Sequence, residues 1–346
     1  MLVGRQTWTF PNEPKIIATG TVGGPFEAKG KLKNDFDYLF DDTWMGEQSF
    51  EKAQKTLMER SVDIALHQAN VTKNDVNFLL SGDLINQITP SNFAAEKIGI
   101  PFLGLFSACA TSTEGLGLAA LMVNTNYANY VVTGTASHNS AAERQYRYPT
   151  EYGGQKPPTA QWTVTGAGSA VVAKQGNGPS ITSATIGKVV DYKITDPFNM
   201  GAAMAPAAVD TIIAHLNDRK IEPTYYDYIV TGDLGKIGQN ISYQLLKDSG
   251  VNIAKDNYID CGTMIYADDQ PVNAGGSGTA CSAVVTYGHL LNRLKNGEFK
   301  RMLVVATGSL HSPMSVQQKE SIPCIAHAVS IERTNNANET TKGEFS

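Results

Sequence analysis

The sequence predicts an α/β protein built from two doubly wound halves that share one molecule. Two observations predict it. The first is an internal repeat. Asn77-Phe78-Leu79-Leu80-Ser81-Gly82-Asp83-Leu84 returns without gaps as Asp227-Tyr228-Ile229-Val230-Thr231-Gly232-Asp233-Leu234, 150 residues later. The same spacing carries back into the preceding segment, where Val62, Ile64 and Val71 fall on Ile212, Ala214 and Ile221. A second echo, Val131-Val132-Thr133-Gly134-Thr135 and Val305-Ala306-Thr307-Gly308-Ser309, has an offset of 174 and implies extra residues in the second half. The second observation is that the strand-like runs are continuously apolar instead of alternating, as in a parallel sheet covered on both faces.

The elements follow in order. Phe50, Ala53, Leu57, Val62, Ala65 and Leu66 recur at helical spacing, which predicts a helix over 49–69 that ends near Asn70. Residues 76–81 read as a short buried strand. Gly115, Gly117, Ala119 and Ala120 mark a helix of small residues from Thr111 to Val123. Residues 130–135 form another apolar strand, and Trp162 to Ala173 reads as two short strands around Gly166-Ala167-Gly168. The second half repeats the order: helix 207–216, strand 226–231, helix 236–248, strand 257–261, helix 277–295, strand 301–307 and a closing strand 325–332. The division is therefore 1–175, 176–333 and a polar tail, 334–346, expected to be mobile.

Composition excludes several classes. With 28 Lys plus Arg against 33 Asp plus Glu, the formal charge is −5, which argues against a nucleic-acid surface. The 42% hydrophobic content supplies a core and excludes general disorder. No apolar run is long enough to span a bilayer, and Met1-Leu2-Val3-Gly4-Arg5 lacks the apolar centre of a signal peptide. Cys109, Cys261, Cys281 and Cys324 match no metal or CxxC spacing and lie in apolar surroundings, so a reducing compartment without disulfides is expected. No cofactor and no intrinsic metal are expected. Asp268-Asp269 lacks the regular oxygen ligands of a calcium loop and reads as a solvated turn.

Phe106-Ser107-Ala108-Cys109-Ala110-Thr111-Ser112 resembles the cysteine elbow of thiolases and β-ketoacyl synthases. Trp162 to Val172 resembles the segment that closes the first half of those enzymes, and Val272-Asn273-Ala274-Gly275-Gly276-Ser277-Gly278 resembles their glycine-rich loop. The resemblance covers about residues 15–332. It implies two βαβαβαββ halves in a layered αβαβα core, and a homodimer paired through the strand at 130–135. Within that superfamily, three stretches are similar to the stage V sporulation protein AD family: Gly4-Arg5-Gln6-Thr7-Trp8, Asp41-Asp42-Thr43-Trp44-Met45-Gly46-Glu47, and Ile194 through Ala208. That resemblance implies a soluble, channel-associated protein, peripheral on the inner membrane of the developing spore. It implies binding of dipicolinic acid, free or as its calcium chelate, and membrane-embedded channel subunits as partners.

The residues themselves bear on catalysis. A condensing enzyme needs a thiolate at a helix N-terminus and two further groups that polarise the thioester carbonyl. Cys109 has the right place, although a small residue fitting a tight turn reads the same way. Where the family carries histidine after the central second-half strand, this chain has Asp233, which as a carboxylate accepts and cannot donate to an oxyanion. Where the family presents Asn or His, it has Gly275-Gly276-Ser277. No catalytic residue is therefore assigned, and Cys109 reads as a vestigial nucleophile in a pocket kept for binding. An acyltransferase using Cys109, with Asp233 or His311 in altered roles, and a structural adaptor with a vestigial cleft are the other readings. His67-Gln68-Ala69-Asn70 copies a condensing-enzyme string but precedes the first-half strand, so it reads as a helix end.

A dicarboxylate needs paired donors, which arginine forks and helix N-termini supply. The candidates are Cys109 and its helix start, Asp233, the Gly275-Gly276-Ser277 turn, Lys236, His311, Arg144 and Arg147. His138 is a further loop histidine after a strand, with backbone bonding as its alternative role. Gly276→Trp is expected to fill the pocket.

Overall fold

A computed structural model describes residues 1–146 and 156–333. Arg147 and the tail 334–346 lie outside these described residues, so their expected roles are not addressed by it.

The strands are β1 (Leu2–Val3), β2 (Thr7–Thr9), β3 (Lys15–Gly23), β4 (Tyr38–Leu39), β5 (Phe78–Gly82), β6 (Phe102–Gly104), β7 (Tyr130–Ser137), β8 (Trp162–Thr163), β9 (Gly166–Ala173), β10 (Ser180–Ile186), β11 (Tyr228–Thr231), β12 (Tyr258–Asp260), β13 (Gly276–Ser277), β14 (Arg301–Ser309) and β15 (Cys324–Glu332). The helices are α1 (Phe50–Ala69), α2 (Thr89–Ile98), α3 (Thr111–Asn124), α4 (Asn139–Tyr146), α5 (Met200–Arg219), α6 (Gly235–Asp248), α7 (Cys261–Met264), α8 (Thr279–Val284), α9 (Leu291–Lys295) and α10 (Pro313–Gln317). A π segment, Val285–Leu290, joins α8 to α9.

The duplication is visible in the sheet. The first half runs β3-β9-β7-β5-β6 and the second runs β10-β15-β14-β11-β12. In both, the first three strands alternate antiparallel and the last three are parallel. The halves join edge to edge through the single pair Lys15–Ser180. The 150-residue echo sits in register at the ends of β5 and β11. The 174-residue echo does not: Leu79 faces Val132 and Ile229 faces Leu303, so the equivalent ladder positions are 171 residues apart.

The sheets form two layers of a five-layer stack. α1 and α2 cover the first sheet from outside around Leu57, Met58, Val62 and Leu79. α5 and α6 cover the second around Met204, Ile212, Ile229 and Leu246. Between the sheets lie α3 and α8, with Leu116, Ala119, Ala120, Ala280 and Val284 in the central core. A helix squeezed between two sheets needs small side chains. A Cβ on Gly115 would overlap the Thr133 hydroxyl, which explains the glycine and alanine content of α3.

The structure corrects several expectations. β3 and β10, which open each half, and α2 and β6 agree with the βαβαβαββ order that the resemblance implies, although periodicity does not mark them; α4 is additional to that order. Gly166-Ala167-Gly168 does not separate two short strands but begins one eight-residue strand, β9. α5 begins at Met200, seven residues early, and tolerates Pro206 within it. The proposed dimer strand is also displaced. β7 is hydrogen-bonded on both sides, to β5 and β9, and has no free edge. The free edge of that sheet is β6, where Leu103 and nearby Phe106 are exposed. By contrast α1 ends as expected. Asn70 is its left-handed C-cap, φ 53°, and His67 faces solvent.

One buried carboxyl ties the N-terminal region to the second half. Glu27 is fully buried, and its Oε1 accepts from the Thr165 amide at 3.1 Å and the Tyr266 hydroxyl at 2.6 Å. Its Oε2 has no hydrogen-bond partner, and burial pushes the carboxyl pKa up to about 7 from 4.5. The folded state thus holds this proton more tightly than the unfolded chain. Its stabilising contribution is complete below about pH 4.5 and is lost as pH rises through about 7. Glu27→Gln escapes that loss. The Tm of the variant relative to wild type should rise between pH 5 and 8 by on the order of 5 °C in scanning calorimetry.

Candidate functional site

The cleft forms where the strand ends of the two halves meet. Cys109 lies in a single turn, Ala108–Ala110, that leads directly into α3. The elbow is tight: Ala108 has φ 49°, and Thr111 returns its hydroxyl to the Ala108 carbonyl at 2.7 Å. Ser107 donates to Glu114 at 2.6 Å. From the opposite half, β14 packs against the elbow at Gly308, where any Cβ would overlap the Ser107 carbonyl. The sequence therefore places a thiol at the start of a central helix and needs a glycine on the facing strand to do so.

Asp233 follows β11 and is fully buried. Its Oδ1 accepts from the Thr307 hydroxyl at 3.0 Å, and its Oδ2 from the Ser277 hydroxyl at 3.2 Å and the Gly278 amide at 3.1 Å. The Cys109 thiol donates to the same carboxyl. Burial raises its pKa to about 7, opposed by the Cys109 bond, while nearby Asp260 raises it further. Asp260, at the end of β12, accepts from Thr231, from the Leu234 and Gly235 amides that open α6, and from Thr263. It is a buried carboxylate at a helix N-terminus, where the helix dipole favours it. Burial nevertheless lifts it to about 6.

The glycine-rich loop is fixed from the other half. β13 pairs in parallel with β8, setting Gly276 beside Trp162 and Ser277 beside Thr163. Gln161 bridges the loops by donating to the Asp233 carbonyl at 2.6 Å and the Gly276 carbonyl at 3.0 Å.

These groups enclose a cavity lined by Cys109, Tyr146, Thr163, Ser277, Ser309 and His311, with Leu84, Ala142, Pro197 and Met200 as its apolar side. It offers about 40 Å³ to water centres, room for roughly three waters. Tyr146 reaches across to the Leu84 carbonyl, and its ring lies 5.0 Å from that of His311.

Of the residues singled out in the sequence, Cys109, Ser277 and His311 line this cavity, and Asp233 stands one hydrogen bond behind it. The others are elsewhere. Gly276 is buried behind the wall; a Cβ there would meet Ile265, Tyr266 and Cys281, so Gly276→Trp would disrupt the core and not fill the pocket. Gly275, φ 122°, shapes the turn and closes on the Gly262 backbone. Lys236 is exposed on the outer face, in the field of Asp268. Arg144 points away from the cavity to an ion pair with Glu51 at 3.4 Å. His138 is a buried backbone-bonded histidine. Its Nε2 pairs with the Thr43 carbonyl at 2.8 Å, and its ring stacks on Phe50. Asp268 is ion-paired with Lys31 at 2.7 Å. All four cysteines are buried and none of them forms a disulfide.

Tyr146, Thr163, Pro197, Met200 and Ser309 were not singled out. Each lies inside or beside a segment that the sequence does mark: the segment with Arg144 and Arg147, the first-half closing motif, the 194–208 stretch and the second echo. What was missing was the side each residue faces.

Known structures share this architecture. The chain is similar to 3-oxoacyl-[acyl-carrier-protein] synthase III from Aquifex aeolicus, with a TM-score of 0.57 over 92% of this chain and 99% of that one at 13% identity. It is also similar to Xanthomonas campestris OleA solved with cerulenin, with a TM-score of 0.59 over 96% and 98% at 13% identity. The fold is that of the thiolase-like condensing enzymes, and at this identity the likeness concerns the fold alone. The chain itself belongs to the stage V sporulation protein AD family, whose model matches residues 4–332. It is 48% identical to stage V sporulation protein AD of Bacillus subtilis over 336 residues, 97% of this chain and 99% of that protein.

The thiol–carboxyl pair has a measurable consequence. A negative carboxyl beside Cys109 disfavours a second negative charge on sulfur, and the thiolate is the reactive form. Asp233→Asn should therefore speed iodoacetamide alkylation of Cys109 several-fold at pH 8, followed by mass spectrometry. An unchanged rate would show that Asp233 carries no charge there.

Proposed function

We propose that this protein binds dipicolinic acid in the cavity at Cys109 and serves, peripherally on the inner spore membrane, as the soluble part of a channel that moves it. The observation that carries the reading is membership of a sporulation family combined with a cleft in which Asp233 and the Gly275-Gly276-Ser277 turn stand around Cys109. The thiol donates to Asp233, and the glycine-rich loop offers a serine hydroxyl and backbone where a donor side chain would stand. Cys109 is thereby held as a wall group.

The wall chemistry suits a flat aromatic acid. Tyr146 and His311 offer ring faces, Thr163, Ser277 and Ser309 offer hydroxyls, and the start of α3 offers a positive helix end. The present opening is smaller than a twelve-atom dicarboxylate, so binding requires Tyr146 and His311 to part. Among the described residues no helix is long and apolar enough to cross a membrane, so association with one would run through partner subunits. Dimerisation through β6 fits the open edge of the first sheet and its exposed Leu103 and Phe106.

Dipicolinate should raise the Tm of wild type where benzoate does not, because only a ligand of the native state stabilises it. Ser309→Trp, which fills the cavity from its half-exposed rim, should abolish the shift; a retained shift would place the site elsewhere. A Cys109 acyl adduct in mass spectrometry after a panel of acyl thioesters would favour the acyltransferase reading instead. Leu103→Lys should convert a dimer to monomer in light scattering at micromolar concentration, and a monomeric wild type would remove the dimer from the proposal.

A further inference from the structure

The ligand cavity has an ionisable group directly behind its wall. Asp233 is fully buried, and two of its donors, Cys109 and Ser277, are themselves cavity-lining residues. Every hydrogen-bond partner named for the carboxyl is a neutral donor: two hydroxyls, an amide and a thiol. Among the described residues, the titratable groups in its field include Asp260 on β12, Cys261 on α7, Cys281 on α8, Cys324 on β15 and Cys109 itself. Asp260 raises the proton affinity of Asp233 further through its negative charge. On the cavity side stand Tyr146 and His311.

An anion that enters this cavity therefore sets a second negative charge within a few ångströms of a buried carboxyl that already faces Asp260. In a buried setting such a pair is costly, and the carboxyl relieves it by taking a proton. We propose that the cavity loads its carboxylate ligand together with one proton, which resides on Asp233 while the ligand is bound. Ligand release then returns the proton, so binding is coupled to pH in the direction that favours loading at the lower pH. The balance is a simple protonation: the ligand anion and one H⁺ enter, and no bond of the ligand is made or broken. The free-state pKa of about 7 places the transition in an accessible range. The inference rests on the proposed binding of dipicolinate at this cavity.

Calorimetric titration of dipicolinate into the full chain, in buffers of different ionisation enthalpy at pH 6, 7 and 8, tests it. About one proton should be taken up per ligand at pH 8 and little at pH 6, and affinity should fall about fivefold from pH 7 to 8. Asp233→Asn should remove both effects. Thr307→Val, which keeps the carboxyl but deletes a donor to its charged form, should move the fall in affinity to higher pH. His311→Gln separates the rim histidine: uptake at pH 8 should persist in it. Binding at pH 8 without proton uptake, uptake that persists in Asp233→Asn, or uptake lost in His311→Gln would overturn the proton-linked mechanism while leaving the binding reading intact. Absence of binding at every pH would instead overturn the binding reading, and the linkage with it.

Discussion

The cleft depends on a single buried carboxyl, Asp233. Its acceptor positions are filled by four donors from three places: β14 through Thr307, the β13 turn through Ser277 and Gly278, and the cysteine elbow through Cys109. A fully buried carboxyl is costly unless its oxygens are satisfied. Satisfying these two oxygens therefore fixes the relative position of a strand, a turn and a helix start. The same bonds that stabilise Asp233 set the shape of the cavity wall. Asp260 extends the arrangement by capping α6, which begins two residues after Asp233.

The duplicated position in the first half is satisfied differently. Asp83 ends the equivalent strand in the first half and is equally buried. It accepts from the Ile85 amide at 2.7 Å and from the Ser91 amide and hydroxyl at 2.9 and 2.5 Å. Most of its donors lie within eight residues and organise the turn into α2, and Gln54 of α1 adds one from further away. Asp233 instead draws donors from segments that are distant in sequence. One ancestral feature, an aspartate after a central strand, serves a local turn in one half and a long-range junction in the other. The asymmetry of the cavity follows from that difference.

The likeness to condensing enzymes is a likeness of scaffold. A cysteine at the start of a helix squeezed between two sheets is a geometric consequence of this fold, and it survives whether or not chemistry does. Reactivity depends on what faces the sulfur. Here one group that meets the sulfur is a carboxyl with a raised proton affinity, to which the thiol donates a hydrogen bond.

Much of this was legible in the chain itself. The 150-residue echo, the continuous apolar runs and the small residues of α3 determined two α/β halves, each with a sheet covered on both faces, around a central helix; that each sheet is mixed and not all parallel was decided by the tertiary structure. They did so because periodicity and side-chain size are local properties that burial on both faces imposes. The elbow cysteine and the aspartate after β11 could also be placed, since strand ends are marked by the repeat. The tertiary structure alone decided which side chains meet. Arg144 turning to Glu51 and His138 to Thr43 are choices of direction made by packing partners that are far away in sequence. So are the short edge strand β6, with too few residues to show a pattern, and the convergence of Cys109, Ser277 and Thr307 on Asp233. Sequence spacing records which residues share an element. Only the closing of two halves on each other fixes which of them share a carboxyl.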